Sequence, residues 1–197
     1  MRRQNFELIT TVHDFLKSLG GAHINSFLVD WPAAGTPTRP IVSNDLPVLS
    51  WIPEAVAAAH KKARFLVEML ASVADQIAWG QTYSADDFGS GFLEKYGWTE
   101  LIGLRGPIAS ERIACGFLML GPEIEYPQHS HEAKEVYVPL TEPTFWLRGN
   151  EDWESRTACR PIYHASRMPH AMRTASTPLL ALYLWRGGNL IEKSSIH

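Results

Sequence analysis

Short apolar runs in the second half of the chain limit its possible folds more than any other feature of the sequence. The runs are rich in Ile, Phe, Leu, Val, Tyr and Trp, and each is bounded by Gly, Pro, Asn or Asp. They cover residues 111–120, 135–140, 143–148, 159–164 and 178–185. Runs of this length and composition, separated by turn residues, are typical of antiparallel strands. The second half therefore predicts a small antiparallel β-sandwich or β-barrel.

The first half of the chain has helical rather than strand spacing. Apolar residues recur every three or four positions in residues 5–19, a segment followed by Gly20. The same spacing continues through residues 53–79, which Gly80 follows. Residues 83–103 contain two acidic residues in succession and several glycines, and we expect them to form a connector.

The change of pattern near residue 108 predicts the organisation of the whole chain. We expect a mainly β protein with a helical N-terminal half, an α+β arrangement. Residues 1–107 are predicted to form the helical segment, and residues 108–197 a metal-binding β-barrel against which it packs. At 197 residues the two parts fit one compact domain.

Charge and cysteine content exclude several classes of function. The formal net charge is -3 and the basic residues are dispersed, which argues against a nucleic-acid partner. No apolar stretch approaches the length of a membrane span, so we expect neither a membrane span nor a membrane partner. The only cysteines, Cys115 and Cys159, do not form a CxxC pair, so a disulfide framework is excluded and a reducing cytoplasm is expected.

The stretch YPQHSHEAKEVY, residues 126–137, contains four side chains that can bind metal or transfer protons, and all four lie at odd-numbered positions. These residues are His129, His131, Glu135 and Tyr137. Side chains alternate along a strand, so all four are expected on one face. If that face is the interior, each unpaired polar group costs about 1–3 kcal/mol. A divalent cation would satisfy several of these groups at once, and we interpret the stretch as part of a metal site.

A further metal ligand is expected from a later strand. His170 directly follows Pro169 in RMPHAMRT, while His164 in PIYHAS has the same parity and is the alternative. The predicted ligand set is His129, His131, Glu135 and His170. Zinc, iron, manganese and nickel all accept nitrogen and oxygen ligands, so the identity of the metal stays open. Whether His129 stays on the metal or turns toward a substrate carboxylate also stays open.

These residues resemble the two metal-binding motifs of the cupin superfamily. The HSH triplet at residues 129–131, followed by Glu135, is similar to the first motif. Pro169 and His170 resemble the end of the second motif. The spacer between Gly121 and the triplet is longer than is usual in that superfamily.

A narrower resemblance is to the Q-type cupin lyases that act on dimethylsulfoniopropionate (DMSP) in marine bacteria. The HxHxxxExY element at residues 129–137, the preceding Tyr126 and the connector DDFGSGFLEKYGWTELIG are similar to theirs. The resemblance covers most of residues 83–185. It implies a cupin barrel behind a helical N-terminal half. It also implies a metal-dependent carbon–sulfur lyase that releases dimethyl sulfide and acrylate by β-elimination.

The resemblance further implies that a tyrosine acts as the base. Tyr137 shares the predicted strand face of the ligands, and a neighbouring cation would favour its phenolate. Tyr126 is the alternative base. The implied substrate is a small sulfonium carboxylate, whose cationic group is attracted to aromatic faces. The helical half is a candidate surface for a homodimer.

Other functions fit the same ligand set. A ferrous iron dioxygenase and a metal-dependent isomerase would use the same imidazoles and carboxylate, and a non-enzymic small-molecule-binding cupin would need no base. Oxygen consumption would favour the dioxygenase. Anaerobic release of dimethyl sulfide would favour the lyase, and the absence of turnover with any sulfonium would favour the binding protein.

Overall fold

Helices form most of the first 93 residues of the protein. The computed structural model describes residues 2–197, with side chains described from residue 6 onward. The helices are α1 (Arg2–Leu19), α2 (Ala22–Leu28), α3 (Ile52–Ala57), α4 (Arg64–Ala71), α5 (Ala85–Phe88) and α6 (Ser90–Leu93). Leu8, Val12 and Leu16 form the buried face of α1, and Gly20 ends the helix with a φ of 63°, a left-handed conformation that suits glycine. The helix predicted for residues 5–19 is confirmed.

The single long helix predicted for residues 53–79 is wrong. This segment contains α3, α4 and a 3₁₀ turn at Ala74–Gln76, and it ends in a short strand. Between the two helices, Ala59 forms an isolated bridge with Thr141, and the His60 N–H donates to the Leu140 carbonyl over 2.9 Å. These long-range hydrogen bonds use backbone groups that a continuous helix would need, so the helix is interrupted there.

Eleven strands among the described residues form two antiparallel sheets. The strands are β1 (Trp79–Gly80), β2 (Tyr96–Ile102), β3 (Ile113–Leu120), β4 (Glu125–Ser130), β5 (Lys134–Pro139), β6 (Thr144–Arg148), β7 (Glu154–Arg156), β8 (Ile162–His164), β9 (His170–Arg173), β10 (Leu179–Arg186) and β11 (Ser195–Ile196). The six-stranded sheet has the order β1-β2-β3-β10-β5-β8, and the five-stranded sheet has the order β11-β4-β9-β6-β7. Each of the five apolar runs of the sequence overlaps one of these strands.

The six-stranded sheet is covered on both faces. On β3, Cys115, Phe117 and Met119 pack with the helices in one hydrophobic cluster. The alternate residues Leu118 and Leu120 join a second cluster, which includes side chains of the five-stranded sheet. The core therefore has two layers, one between the helices and the larger sheet and one between the two sheets.

The predicted cupin fold, mainly β with N-terminal helices, is confirmed, but the sheets do not close into a barrel. No strand pair among residues 2–197 joins the two sheets. The strands at the sheet edges are only two or three residues long, too short to continue a hydrogen-bonded ladder around the molecule. The site described below lies in the layer between the sheets.

The predicted division at residue 107 stays a prediction. Strand β2 lies before that point in the sequence, and it pairs with β3 of the six-stranded sheet. The connector predicted for residues 83–103 thus contains a strand as well as α5 and α6. Met1, which the predicted helical segment includes, lies outside the described residues.

A glycine in β3 permits the close pairing of β2 and β3. A Cβ atom at Gly116 would lie 1.8 Å from the Thr99 carbonyl oxygen, beside an irregularity in the β2 register. We expect Gly116→Ala to lower the free energy of unfolding by about 1–3 kcal/mol or more, because backbone rather than a flexible side chain must move. Chemical denaturation measures this loss. Gly91→Ala is the matched control, since a Cβ there meets nothing within 4 Å; equal stability of the two variants would contradict the prediction.

Candidate metal centre and active site

The HSH stretch does not form one continuous strand, as its parity had suggested. His129 lies on β4 of the five-stranded sheet, whereas Glu135 and Tyr137 lie on β5 of the six-stranded sheet. His131 lies in the turn between them, where the chain crosses from one sheet to the other. Side chains from both strands nevertheless face the space between the sheets, so the predicted residues meet despite the wrong local structure.

Three of the predicted ligands converge on one point. The Nε2 atom of His131 and the Nε2 atom of His170 each lie 3.1 Å from Oε2 of Glu135. All three side chains are buried, and one ligand atom from each lies within 4.8 Å of the other two. This spacing is compatible with a metal ion bound by all three residues.

The histidine tautomers leave the inward-facing nitrogens available for a cation. Nδ1 of His131 lies 2.9 Å from the Ala133 carbonyl, and Nδ1 of His170 lies 2.9 Å from the Met168 carbonyl. A carbonyl only accepts, so each Nδ1 carries a proton, and Nε2 is the nitrogen of each ring that faces Glu135. Two imidazole nitrogens and one carboxylate oxygen facing one point are a donor set that fits a divalent metal, with both rings oriented by their Nδ1 hydrogen bonds.

The carboxylate of Glu135 is held from a second side. Its Oε1 atom accepts a hydrogen bond of 2.6 Å from the indole Nε1 of Trp185, a cross-strand neighbour on β10. Burial opposes ionisation of Glu135, but the imidazoles of His131 and His170 hold the pKa of this carboxyl well below its usual range. Glu135 is thus an anion with one oxygen fixed by an indole and the other facing two imidazoles. No local pattern in the sequence indicated the contact between Trp185 and Glu135.

Two further histidines border the three-residue group without belonging to it. His129 stacks on Tyr126, with 4.0 Å between ring centroids, and its centroid lies 4.2 Å from that of His170. His164 stacks on His170, with 4.1 Å between the ring centroids. Burial and the adjacent His170 lower the pKa of both imidazoles well below the usual value. Of the two predicted candidates for the later ligand, His170 is the one within the group.

An aromatic cavity adjoins the three-residue group. It has a volume of about 290 Å³. The aromatic lining consists of Tyr96, Trp98, Tyr126, Tyr137, Tyr183 and Trp185. The histidines and Glu135 do not line this cavity, but Trp185 contacts both Glu135 and His131. Trp185 is therefore shared by the cavity wall and the three-residue group.

Both predicted base tyrosines line the cavity but have different partners. The Tyr126 hydroxyl lies 2.9 Å from the hydroxyl of Tyr83, a residue of the connector that the sequence did not single out. Burial and the phenol of Tyr96 raise the pKa of Tyr126 well above its usual value. Burial and the Glu135 carboxylate raise the pKa of Tyr137 well above its usual value. Tyr137 is thus the tyrosine coupled electrostatically to a predicted ligand.

The C-terminal segment closes one side of the cavity. Lys193 lines the cavity, and its Nζ lies 2.9 Å from Oδ1 of Asp87 on α5. The Ser84 and Asp87 side chains form a capping box at the start of α5. The connector and the C-terminal segment therefore meet over the aromatic cavity.

Two curated proteins are similar to this chain in sequence. The chain is 34% identical over 110 residues to the dimethylsulfoniopropionate lyase DddQ of Ruegeria pomeroyi, covering 55% of this chain and 54% of that protein. It is 31% identical over 120 residues to the putative dimethylsulfoniopropionate lyase DddL of Cereibacter sphaeroides, covering 60% and 49%. The chain thus spans about half the length of the curated relatives that it matches.

Solved structures show the same fold at low sequence identity. A chain from the crystal structures of the DMSP lyases RdDddP and RnDddQII is 23% identical, with a TM-score of 0.89 over 100% of this chain and 98% of that one. The crystal structure of DddQ from Ruegeria pomeroyi DSS-3 gives 23% identity and a TM-score of 0.83, covering 98% and 95%. None of the helices described from residue 2 onward has the length and apolar character to cross a bilayer. Residues 33–181 match the family model for dimethylsulfoniopropionate lyases, and the chain belongs to that family.

Proposed function

We propose that this protein is a metal-dependent lyase that cleaves DMSP into dimethyl sulfide and acrylate by β-elimination. The observation that carries the proposal is the convergence of His131, Glu135 and His170 in a buried group beside an aromatic cavity. Membership of the DMSP lyase family supports the choice of substrate. The enzyme class implied is a carbon–sulfur lyase acting on a small sulfonium carboxylate.

The proposed metal ligands are the four residues predicted from the sequence. His131, Glu135 and His170 form the buried group, and His129 lies at its border, with its own Nδ1 2.8 Å from the Pro127 carbonyl. The Nε2 atom of His129 is therefore available, as in the other two histidines. When bound, a zinc, iron, manganese or nickel ion would act as a Lewis acid toward the substrate carboxylate and acidify the adjacent Cα–H.

Tyr137 is the proposed base. Its oxygen takes the proton from Cα, the electron pair of that C–H bond forms the carbon–carbon double bond, and the C–S bond breaks to release a neutral sulfide. Burial and Glu135 raise the pKa of Tyr137, so the phenolate needs a cation nearby. Tyr126 is the alternative base, but its hydroxyl is engaged with that of Tyr83.

The cavity walls suit the other end of the proposed substrate. A sulfonium group is a weakly hydrated cation, and aromatic faces attract such groups. The indoles of Trp98 and Trp185 and the phenol of Tyr183 line the cavity together with Tyr137. We propose that these rings hold the sulfonium group while the carboxylate end faces the ligand cluster.

Release of dimethyl sulfide tests the proposal directly. We expect the purified protein to produce dimethyl sulfide from DMSP without oxygen, measured by gas chromatography of the headspace. A chelator should abolish the signal, and added divalent metal should restore it. Protein without DMSP and DMSP without protein are the controls. A fully metal-loaded protein that releases no dimethyl sulfide above the protein-free rate would contradict the proposed activity.

A further inference from the structure

His164 is a buried imidazole for which the proposed reaction has no use. It ends β8, its side chain is fully buried, and neither ring nitrogen has a hydrogen-bond partner within the described chain. A buried polar group without a partner is costly, so such groups call for an explanation. Its position beside the proposed metal ligands indicates which partner it lacks.

The sheet register places His164 directly beside Glu135. Glu135 on β5 pairs with Trp185 of β10 on one side and with His164 of β8 on the other. The Trp185 indole already donates to Oε1 of Glu135. On the other side, Nδ1 of His164 lies 3.8 Å from Oε2. One cross-strand row thus places a potential donor next to each oxygen of the carboxylate.

Oε2 of Glu135 can bind a cation and accept a hydrogen bond from His164 at the same time. It faces the Nε2 atoms of both His131 and His170, each at 3.1 Å. A carboxylate oxygen has two lone pairs. A cation held by Oε2 and the two Nε2 atoms would occupy one of them and leave the other for a donor outside the cluster. His164 lies on that outer side, stacked on His170.

We propose that His164 is a positioning residue of the metal centre, whose Nδ1–H donates to Oε2 of Glu135 when the metal is bound. This inference rests on the metal centre of the proposed function. His164 lies outside the group whose ligand atoms approach within 4.8 Å of one another, so its role is to orient Glu135 rather than to bind the ion. With Trp185 on Oε1, it fixes both oxygens of the carboxylate. Groups that orient a ligand in this way commonly raise metal affinity.

Three substitutions separate this role from simple packing. His164→Phe keeps a ring stacked on His170 but has no donor. His164→Asn keeps an amide nitrogen near the Nδ1 position, whereas His164→Gln places its amide near the Nε2 position. If Nδ1 positions Glu135, the His164→Asn variant should keep the native metal affinity, whereas the other two variants should bind metal more weakly.

Cobalt(II) binding to the metal-free full chain is the measurement, followed by visible absorbance in competition with a chelator. We expect His164→Phe and His164→Gln to weaken binding by about 10–100-fold and His164→Asn to stay close to the native affinity. The melting temperature of the metal-free His164→Phe chain should not fall, because the ring stack remains and two unpartnered nitrogens are removed. His13→Phe is the control, since the His13 ring also stacks on an aromatic ring, that of Trp31, away from the centre.

The outcomes distinguish this inference from the function on which it rests. If the native chain does not bind cobalt(II), the metal centre fails, and with it the positioning role. If the native chain binds and His164→Phe binds equally tightly, only the role of His164 is overturned. Equal weakening in all three variants, with a lower metal-free melting temperature, would also overturn it, because that result indicates packing rather than a hydrogen bond from Nδ1.

Discussion

The Tyr137→Phe variant should retain metal at the native level and lose turnover of DMSP by about 10²–10⁴-fold, the usual contribution of a positioned base. The substitution removes one hydroxyl from a ring that packs against Trp146 and borders His164 and His170. The ring contacts remain, so the fold and the ligand cluster should persist. Headspace dimethyl sulfide gives the rate, and elemental analysis of the same preparation gives the metal content.

Two other tyrosines provide the comparison for this variant. Tyr126 has the same 5% exposure as Tyr137 and also lines the cavity, so Tyr126→Phe removes an equally buried hydroxyl. Tyr163 on β8 packs against the helix side of the sheet and should tolerate Tyr163→Phe without loss of activity. A larger loss in Tyr126→Phe than in Tyr137→Phe would transfer the role of base to Tyr126. Native rates in both variants would exclude a tyrosine base.

The Glu135→Ala variant should lose both metal and activity. Both His131 and His170 approach Glu135, and Glu135 supplies the only carboxylate in the three-residue group. We expect the metal content of the purified variant to fall well below that of the native chain. The rate of dimethyl sulfide release should fall at least about 100-fold, the upper range for losing even an outer partner of a ligand.

Glu125→Ala is the control for the loss of a carboxylate. Glu125 is an exposed residue at the start of β4. Its replacement therefore removes one carboxylate near the metal-binding stretch without changing the buried group. Its metal content and rate should equal those of the native protein. A Glu135→Ala protein with native metal stoichiometry would exclude Glu135 as a ligand, whatever its activity.

Five strands of the second half, β3, β5, β6, β8 and β10, were predictable because their signal is local. Each apolar run is short, is bounded by turn residues and is rich in residues that favour strands, so neighbouring residues suffice to identify it. Residues 53–79 show where such reasoning fails. Their helical spacing is genuine, but the bridge between Ala59 and Thr141 and the hydrogen bond from the His60 N–H to the Leu140 carbonyl interrupt the helix. A contact between positions about 80 residues apart leaves no trace in local spacing.

The convergence of His131, Glu135 and His170 was predicted for a reason that proved partly wrong. The shared parity of His129, His131 and Glu135 suggested one strand, whereas a turn at residue 131 separates two strands of different sheets. Both strands face the layer between the sheets, and the residue types, rather than the strand geometry, carried the correct signal. The full ligand set, the division at residue 107, a homodimer and a cytoplasmic location stay predictions.

The sequence by itself determined the chemistry available to this protein: imidazoles, a carboxylate and phenols concentrated in one motif, on a background of short strands. Only the tertiary structure decided which of them meet. The row Trp185, Glu135 and His164 exists because β10, β5 and β8 pair in one register, and that register depends on packing over the whole sheet. Residue types and their local spacing are properties of the sequence, whereas a cross-strand neighbour is determined only when distant segments pack together.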